Sequence, residues 1–321
     1  MTAVRIEPSM DTAVDVSAVI VSWNTVDLLD ECLTSLEVHA VPGSTMEVVV
    51  VDNGSGDGSP ELVAERWPKV RLIANPENRG YQAANNQGMQ ATRGRVLLLI
   101  NADAMLQPGC LQGMLERLAA DDRCAIVGPR LEYGDGSFQR WTAGRLPSLA
   151  SVASSFLFVD RILPRSGVWL GRDRLDSVPV GWVSSACMVV RRAALDDIGL
   201  MDERFFAYMD DVDLCARAAA AGWRVWYEPT AVATHLMGQS TKRQTGRVSP
   251  LAVQAFLRYF ELRRGRRAAV AMRLIAACGF ALRFLIHGAV GFRPSERSAA
   301  AAHGRSLRMC LSPSNLRGTS K

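Results

Sequence analysis

Three aspartates within four positions, Asp210, Asp211 and Asp213, follow the aromatic and apolar run FFAYM in the stretch Phe205–Gly222. Adjacent carboxylates beside apolar side chains repel one another and are poorly solvated. Either effect raises a carboxyl pKa toward the range in which it takes a proton from a substrate hydroxyl. At a helix start the same residues would equally complement the helix dipole. Asp103, closing the loop Asn101-Ala102-Asp103, and His235, in TAVATHLMGQS, add a hard oxygen ligand and an imidazole. A strand-end carboxylate suits Mg2+ or Mn2+, which take few protein ligands and fill the rest of their shell with phosphate oxygens and water. The histidine reads three ways: metal ligand, phosphate contact, or structural imidazole satisfied by backbone. The loop Asn53–Ser59 (NGSGDGS) lets backbone amides approach an anion, yet it matches neither G-x-G-x-x-G nor G-x-x-x-x-G-K-[ST]. An ordinary Asn-Gly turn therefore stays open as its reading.

The elements that must position these residues show in the hydrophobic pattern. Val16–Ser22 (VSAVIVS) is a short β-branched run followed by Leu28, Leu29, Cys32, Leu33 and Leu36 at helical spacing. Glu47–Asp52, Val70–Ala74 and Val96–Ile100 repeat the buried-strand signature, with helical stretches near 60–66 and 81–90 between them. Near-continuous apolar strands alternating with helices predict an α/β fold built on a mainly parallel sheet covered on both faces. The strands end in polar loops: Trp23-Asn24, Asp52 with NGSGDGS, Asn75-PENRG carrying Asn78, Arg79 and Gly80, and Asn101 to Asp103. Ligands bind outside the carboxyl ends of such strands, so these loops should line one crevice. Residues 141–180, rich in Pro and Gly, read as an insertion. Gly181–Arg192 reads as extended, and the Ala-rich stretch before Gly222 as a helix that the glycine ends.

Composition sets the outer bounds. The 321 residues are 48% hydrophobic and 21% charged, an ordinary globular balance. The net charge of +5 is unevenly spread: from Arg258 onward thirteen Lys/Arg face only Glu261 and Glu296, which leaves the preceding residues net acidic. An acidic body with a basic tail predicts an anionic surface as the tail's partner. Ala268–Phe292 is apolar and long enough to span a bilayer. Arg273 and Arg283 within it would each cost about 2.5–3.5 kcal/mol at a membrane centre, so an in-plane amphipathic helix fits better. A helical hairpin packed on the protein itself is the competing reading. Seven scattered cysteines, none closer than fourteen positions apart, give no zinc or disulfide framework and predict a reduced cytosolic protein. The first fifteen residues carry acids and no apolar run, which predicts no secretory signal.

Together VSAVIVSWN, VVVVDNGSGDGS, NPENRGYQAANNQG, LLLINADAML, SSACMVVRR and YMDDVDLCARAAAAGW resemble the family 2 glycosyltransferases of GT-A fold, and within them the rhamnosyltransferase-like branch. The blocks span residues 16–240 in the family's order. The resemblance implies an inverting, metal-dependent transfer of a sugar from a nucleotide-diphosphate donor to a hydroxyl. It implies that Asp52 contacts the nucleobase, that Asn24, Asn78, Arg79, Gly80 and Asn101 lie near the donor, and that Asp103 holds metal and diphosphate with His235. Asp211 matches the family's base, Asp210 stands where the family often has Glu, and Trp182 and Ser185, in and beside the SSAC block, should face the acceptor. One departure is Asn101, an amide where a D-x-D pattern begins with a carboxylate. The branch commonly uses dTDP-rhamnose and a lipid-linked glycan acceptor, which would set the basic tail on the inner face of the cell membrane.

The expected organisation is an N-terminal extension (1–15), a GT-A domain (16–257) with a donor half (16–130) and an acceptor half (131–257), a membrane-associating helical segment (258–292) and a disordered tail (293–321). A sugar nucleotidyltransferase would place a Gly-rich, basic loop after the first strand, where this chain reads SWNTVDLL. A non-catalytic nucleotide-sugar scaffold is at odds with the intact Asp103, Asp211 and His235. Nucleic-acid binding by the tail is disfavoured by its apolar run. Oligomeric state is not legible.

Overall fold

The structure, a computed structural model, describes residues 14–163, 166–169, 175–236, 250–289 and 294–312. All but the last two residues of the expected N-terminal extension lie outside them, as does the chain beyond 312.

The first half alternates strand and helix. β1 (Val16–Ser22), β2 (Met46–Asp52), β3 (Arg71–Ala74) and β4 (Val96–Asn101) are separated by α1 (Val26–Val38), α2 (Ser59–Arg66) and α3 (Tyr81–Gln90). β1 is buried along almost its whole length, as a β-branched strand covered on both faces must be. The four strands pair in parallel in the order β3-β2-β1-β4, and the register aligns Ser22 with Asp52, Asp52 with Ala74, and Val21 with Asn101. Their polar exits thus sit at one level along one edge of the sheet. α3 closes on this sheet through Gly88, where a Cβ would lie 2.3 Å from a Val19 methyl carbon.

β5 (Ala104–Leu106), α4 (Cys110–Ala119) and β6 (Cys124–Glu132) follow, then the two-residue β7 (Ala143–Gly144) and α5 (Leu149–Phe156). β8 (Val178–Val180), β9 (Trp182–Val183), β10 (Cys187–Arg191), α6 (Arg192–Ile198), α7 (Asp210–Ala220) and β11 (Arg224–His235) complete the sheet-bearing body. The main sheet runs β3-β2-β1-β4-β10-β6-β11-β5, with β8 on β11. β10 is antiparallel to both β4 and β6, and β11 is parallel to β6, so the sheet is mixed and mostly parallel, in agreement with the sequence reading. Part of the 141–180 stretch, read as an insertion, forms β7 and α5, and β7 pairs with β9 in a small second sheet.

The C-terminal region departs from expectation. α8 (Pro250–Arg264) runs straight through position 258, where the sequence reading ends the catalytic domain. Val253, Tyr259 and Phe260 of α8, with Met272 and Phe280 of α9 (Arg266–Ala289), belong to the same core cluster as Leu97, Leu99 and Val190 of the sheet. The stretch 293–321, read as disordered, contains α10 (Pro294–Leu311), which packs along α9 and buries Ala300, Ser306 and Cys310. Its run of alanines favours helix and lets two helices approach closely, a property that polar composition alone conceals. Arg273 donates to the Cys310 and Ser312 carbonyls, and Arg283 to those of Phe156, Gly279 and Ser155. The two cations that punctuate the apolar segment are therefore spent inside the protein. α9 has a second face: Val270, Leu274, Cys278 and Leu285 form an exposed stripe at helical spacing.

Candidate active site

The donor-side loops are held by side chains that replace missing backbone partners. Asp52 Oδ2 accepts from the backbone N–H of Gly54 and Ser55 at 3.2 and 2.9 Å, while its Oδ1 is buried with no partner among the described residues. A buried carboxylate oxygen with no donor is costly unless a ligand supplies one. Asn24, left-handed at φ 53°, accepts from Gly56 N–H through Oδ1 and gives its own N–H to Ser55 Oγ, both at 2.9 Å. Asp57 takes the Val26 N–H and the Ser59 N–H and hydroxyl, fastening the starts of α1 and α2. Asn53 is a central tie: its carboxamide donates to Asn78 Oδ1 and the Gly80 carbonyl and accepts from Arg79 N–H. Asn78 also accepts from Gly80 N–H, so its side chain braces the loop. Arg79 projects an exposed side chain from that loop. Gly80 has φ 89°, and a Cβ there would lie 2.9 Å from the Phe206 ring.

A line of hydrogen bonds joins the strand ends to the paired acids. The Tyr81 hydroxyl, at the start of α3, donates to Asn101 Oδ1 at 2.8 Å and reaches the Ser185 carbonyl at 3.2 Å. Ser185 Oγ in turn donates to Asp210 Oδ2 at 2.8 Å. Asp210 is buried, and burial raises its pKa against the help of the Ser185 hydroxyl. Asp211 is half-buried, its Oδ1 accepting from Val212 N–H at 2.7 Å. Burial, then the neighbouring Asp210 charge, pushes its carboxyl well above the usual carboxylate range. The loop that delivers the pair is strained: Tyr208 and Met209 are both left-handed, at φ 66° and 61°. Asp213, by contrast, is neutralised, accepting from Arg217 at 2.9 Å and from Arg263 of α8.

Asp103 and His235 meet across the antiparallel pairing of β5 with β11. His235 Nε2 lies 3.3 Å from Asp103 Oδ1, and both side chains are about nine-tenths buried. Gln139 closes the other side of the imidazole, with Oε1 3.0 Å from Nδ1. Among the described residues no group of three or more His, Cys, Asp or Glu side chains converges to hold a metal. A two-ligand seat suits a cation that draws its remaining ligands from phosphate oxygens and water, so the residues present fit Mg2+ or Mn2+.

Sequence-selected residues are thus brought to one edge of the sheet, with two refinements. Trp182 is 3% exposed and packed in the core, and Ser185 is turned inward onto Asp210, so neither side chain presents itself to an acceptor. The turn before β7 exposes aromatic surface beside this segment: Trp141, 47% exposed, precedes Thr142, whose carbonyl accepts from Ser184 N–H. Asn101 accepts from the Tyr81 hydroxyl through Oδ1. Tyr81, Asn53 and Gln139 escaped sequence reasoning because their partners lie 20 to 104 positions away, and no local pattern marks them.

A mixed sheet with donor loops at its parallel strand ends and an acid pair on the adjoining helix defines a GT-A glycosyltransferase. The profile of glycosyl transferase family 2 matches residues 17–199, more than half of the chain, and the protein belongs to that family, on its rhamnosyltransferase-like side. It is 33% identical over 215 residues to the N-acetylglucosaminyl-diphospho-decaprenol L-rhamnosyltransferase of Mycobacterium tuberculosis, covering 62% of this chain and 69% of the relative. The succinoglycan biosynthesis protein ExoO of Rhizobium meliloti is 29% identical over 263 residues, covering 79% and 71% of the two chains. In fold the chain is similar to the mannosyltransferase PcManGT of Pyrobaculum calidifontis, solved with GDP-Man and Mn2+, at a TM-score of 0.53 and 19% identity over 98% of this chain and 92% of that one.

Proposed function

We propose that the enzyme is an inverting, metal-dependent transferase that moves rhamnose from dTDP-rhamnose to a hydroxyl of a polyprenyl-linked glycan. The observation that carries the reading is the line Asp210–Ser185–Tyr81–Asn101, which ties a desolvated acid pair to the strand end two residues before Asp103, itself paired with His235. Asp52, with its partnerless Oδ1, receives the donor's base, and Arg79 lies over the diphosphate. Asp103 and His235 hold the cation, whose positive charge, when bound, offsets the charge that builds on the departing diphosphate. Asp211, the more open of the two acids, takes the acceptor's proton as the oxygen attacks the anomeric carbon from the face opposite the leaving group. Asp210, fixed by Ser185, keeps the proton affinity of Asp211 high.

Thermal stability with dTDP, UDP, GDP and ADP, each with and without Mn2+ or Mg2+, is the first test, because a ligand of the native state raises its stability by mass action. The expected result is a rise with dTDP that grows with metal. Transfer from dTDP-rhamnose to an N-acetylglucosaminyl-diphospho-polyprenol then tests both substrates. Stabilisation by a different base would discard this donor, and no stabilisation by any nucleotide would discard the transferase site as assigned.

The same reading seats the protein on an anionic bilayer through α9. Support comes from its exposed apolar stripe beside exposed Arg264, Arg266 and Arg267, and from a single acidic residue, Glu296, in positions 266–312. The internal use of Arg273 and Arg283 favours a helix lying in the membrane plane over one crossing it.

A further inference from the structure

Gln139 leaves the turn that follows β6, with its N–H on the Leu131 carbonyl, and its side chain is 1% exposed. The carboxamide nitrogen donates to two backbone carbonyls, those of His235 and Glu132. Carbonyls only accept, so the NH2 end must face them and the Oε1 end must face His235 Nδ1, 3.0 Å away. An amide oxygen has no proton to give, so Nδ1 carries the hydrogen. In the neutral ring the lone pair is then on Nε2, which points at Asp103 Oδ1 across 3.3 Å. Two acceptors face each other there, an arrangement that is repulsive in itself and favourable once a cation touches both. Asp103 is pinned from the backbone as well, its carbonyl accepting from Leu236 N–H at 2.9 Å.

We propose that Gln139 is a positioning residue that fixes His235 as the Nδ1–H tautomer, so that Nε2 and Asp103 Oδ1 form a ready-made seat for a divalent cation. The proposal rests on the assignment of Asp103 and His235 as the metal pair. Orienting partners of ligating histidines are ordinarily carboxylates, backbone carbonyls or water. A neutral carboxamide does the same task without adding negative charge beside a diphosphate.

The tautomer is read directly from long-range 1H–15N spectra of the metal-free wild-type protein, whose four histidines are few enough to assign with a His235→Gln control. Mn2+ affinity, with and without dTDP, is measured by the spin-resonance signal of free Mn2+. The expected results are an Nδ1–H ring at His235 and a shift toward Nε2–H in Gln139→Leu, with Mn2+ affinity weakened about 10–100-fold. Gln139→Glu keeps an oxygen facing Nδ1 and should retain the tautomer, but its second oxygen meets the His235 and Glu132 carbonyls with no hydrogen to give, so it should melt lower than wild type. An Nε2–H ring in the wild type overturns the proposal even if the leucine variant does not fold. So does a folded Gln139→Leu protein with wild-type Mn2+ affinity, provided that His235→Gln weakens binding. If His235→Gln leaves Mn2+ binding unchanged, the metal assignment itself falls and this proposal with it.

Discussion

Asp211 carries the sharpest expectations at the scale of a single residue. Asp211→Asn should lower kcat by about 10²–10⁴-fold, the usual span for a lost general base, with dTDP affinity unchanged. A folded variant with wild-type turnover would end its role as base. Asp210 and Asp211 both titrate higher in the folded protein than in the unfolded chain. Between the ordinary carboxylate range and those raised values, the native state holds protons that the unfolded chain has released. Stability from the pair is therefore full below the ordinary carboxylate range and is lost as pH rises through the folded values. Asp211→Asn should melt higher than wild type at pH 8, with the gap closing toward pH 4; melting curves at the two pH values check this. Activity should fall on the acid side at a pH above that of an ordinary carboxylate. The acid pair and Asp103 were legible because their residue types are tied to their chemistry. Gln139 was not, since any of the chain's glutamines looks alike until a histidine 96 positions on is brought beside it.

Elements explain why the site survives its own strain. Gly80 is left-handed at the start of α3 and faces Phe206, the loop that leads into Tyr208 and Met209. The two halves of the crevice thus meet backbone to ring, with Tyr81 N–H on the Phe206 carbonyl at 3.1 Å. Gly80→Ala should cost about 1–3 kcal/mol in denaturant unfolding and lower kcat as well, because the displaced loop carries the acid pair. A stable, fully active variant would show that this contact does not position the acids. Strands β1 to β4 could be read from their unbroken β-branched runs, and their alignment followed from the parallel rule. β10, inserted antiparallel between β4 and β6, could not, because a buried strand has the same pattern in either direction. α10 escaped for a related reason: its polar and alanine-rich composition fits a solvated tail as well as a helix leaning on α9.

For the whole molecule, the three C-terminal helices form part of the body. Arg263 of α8 binds both Asp213 of α7 and, at 3.0 Å, Asp202. Arg263→Met should lower stability by about 1–3 kcal/mol, less than a fully broken buried pair, because Arg217 still partners Asp213. Ending the chain at 257 would cut α8 and open the shared core, so loss of vesicle binding in such a protein would report unfolding. Leu274→Glu with Leu285→Glu is the cleaner pair: melting should stay near wild type while retention on anionic vesicles drops, and unchanged retention would remove α9 from the membrane. A 24-residue helix is about 36 Å long, comparable to a small domain's diameter. Laid flat and packed against α8, whose Arg263 grips the helix that bears the acids, it would act as a gauge, holding the site at one height above the lipid headgroups. Acceptors would then be sorted by how far their sugar stands off the membrane before any of its hydroxyls is recognised.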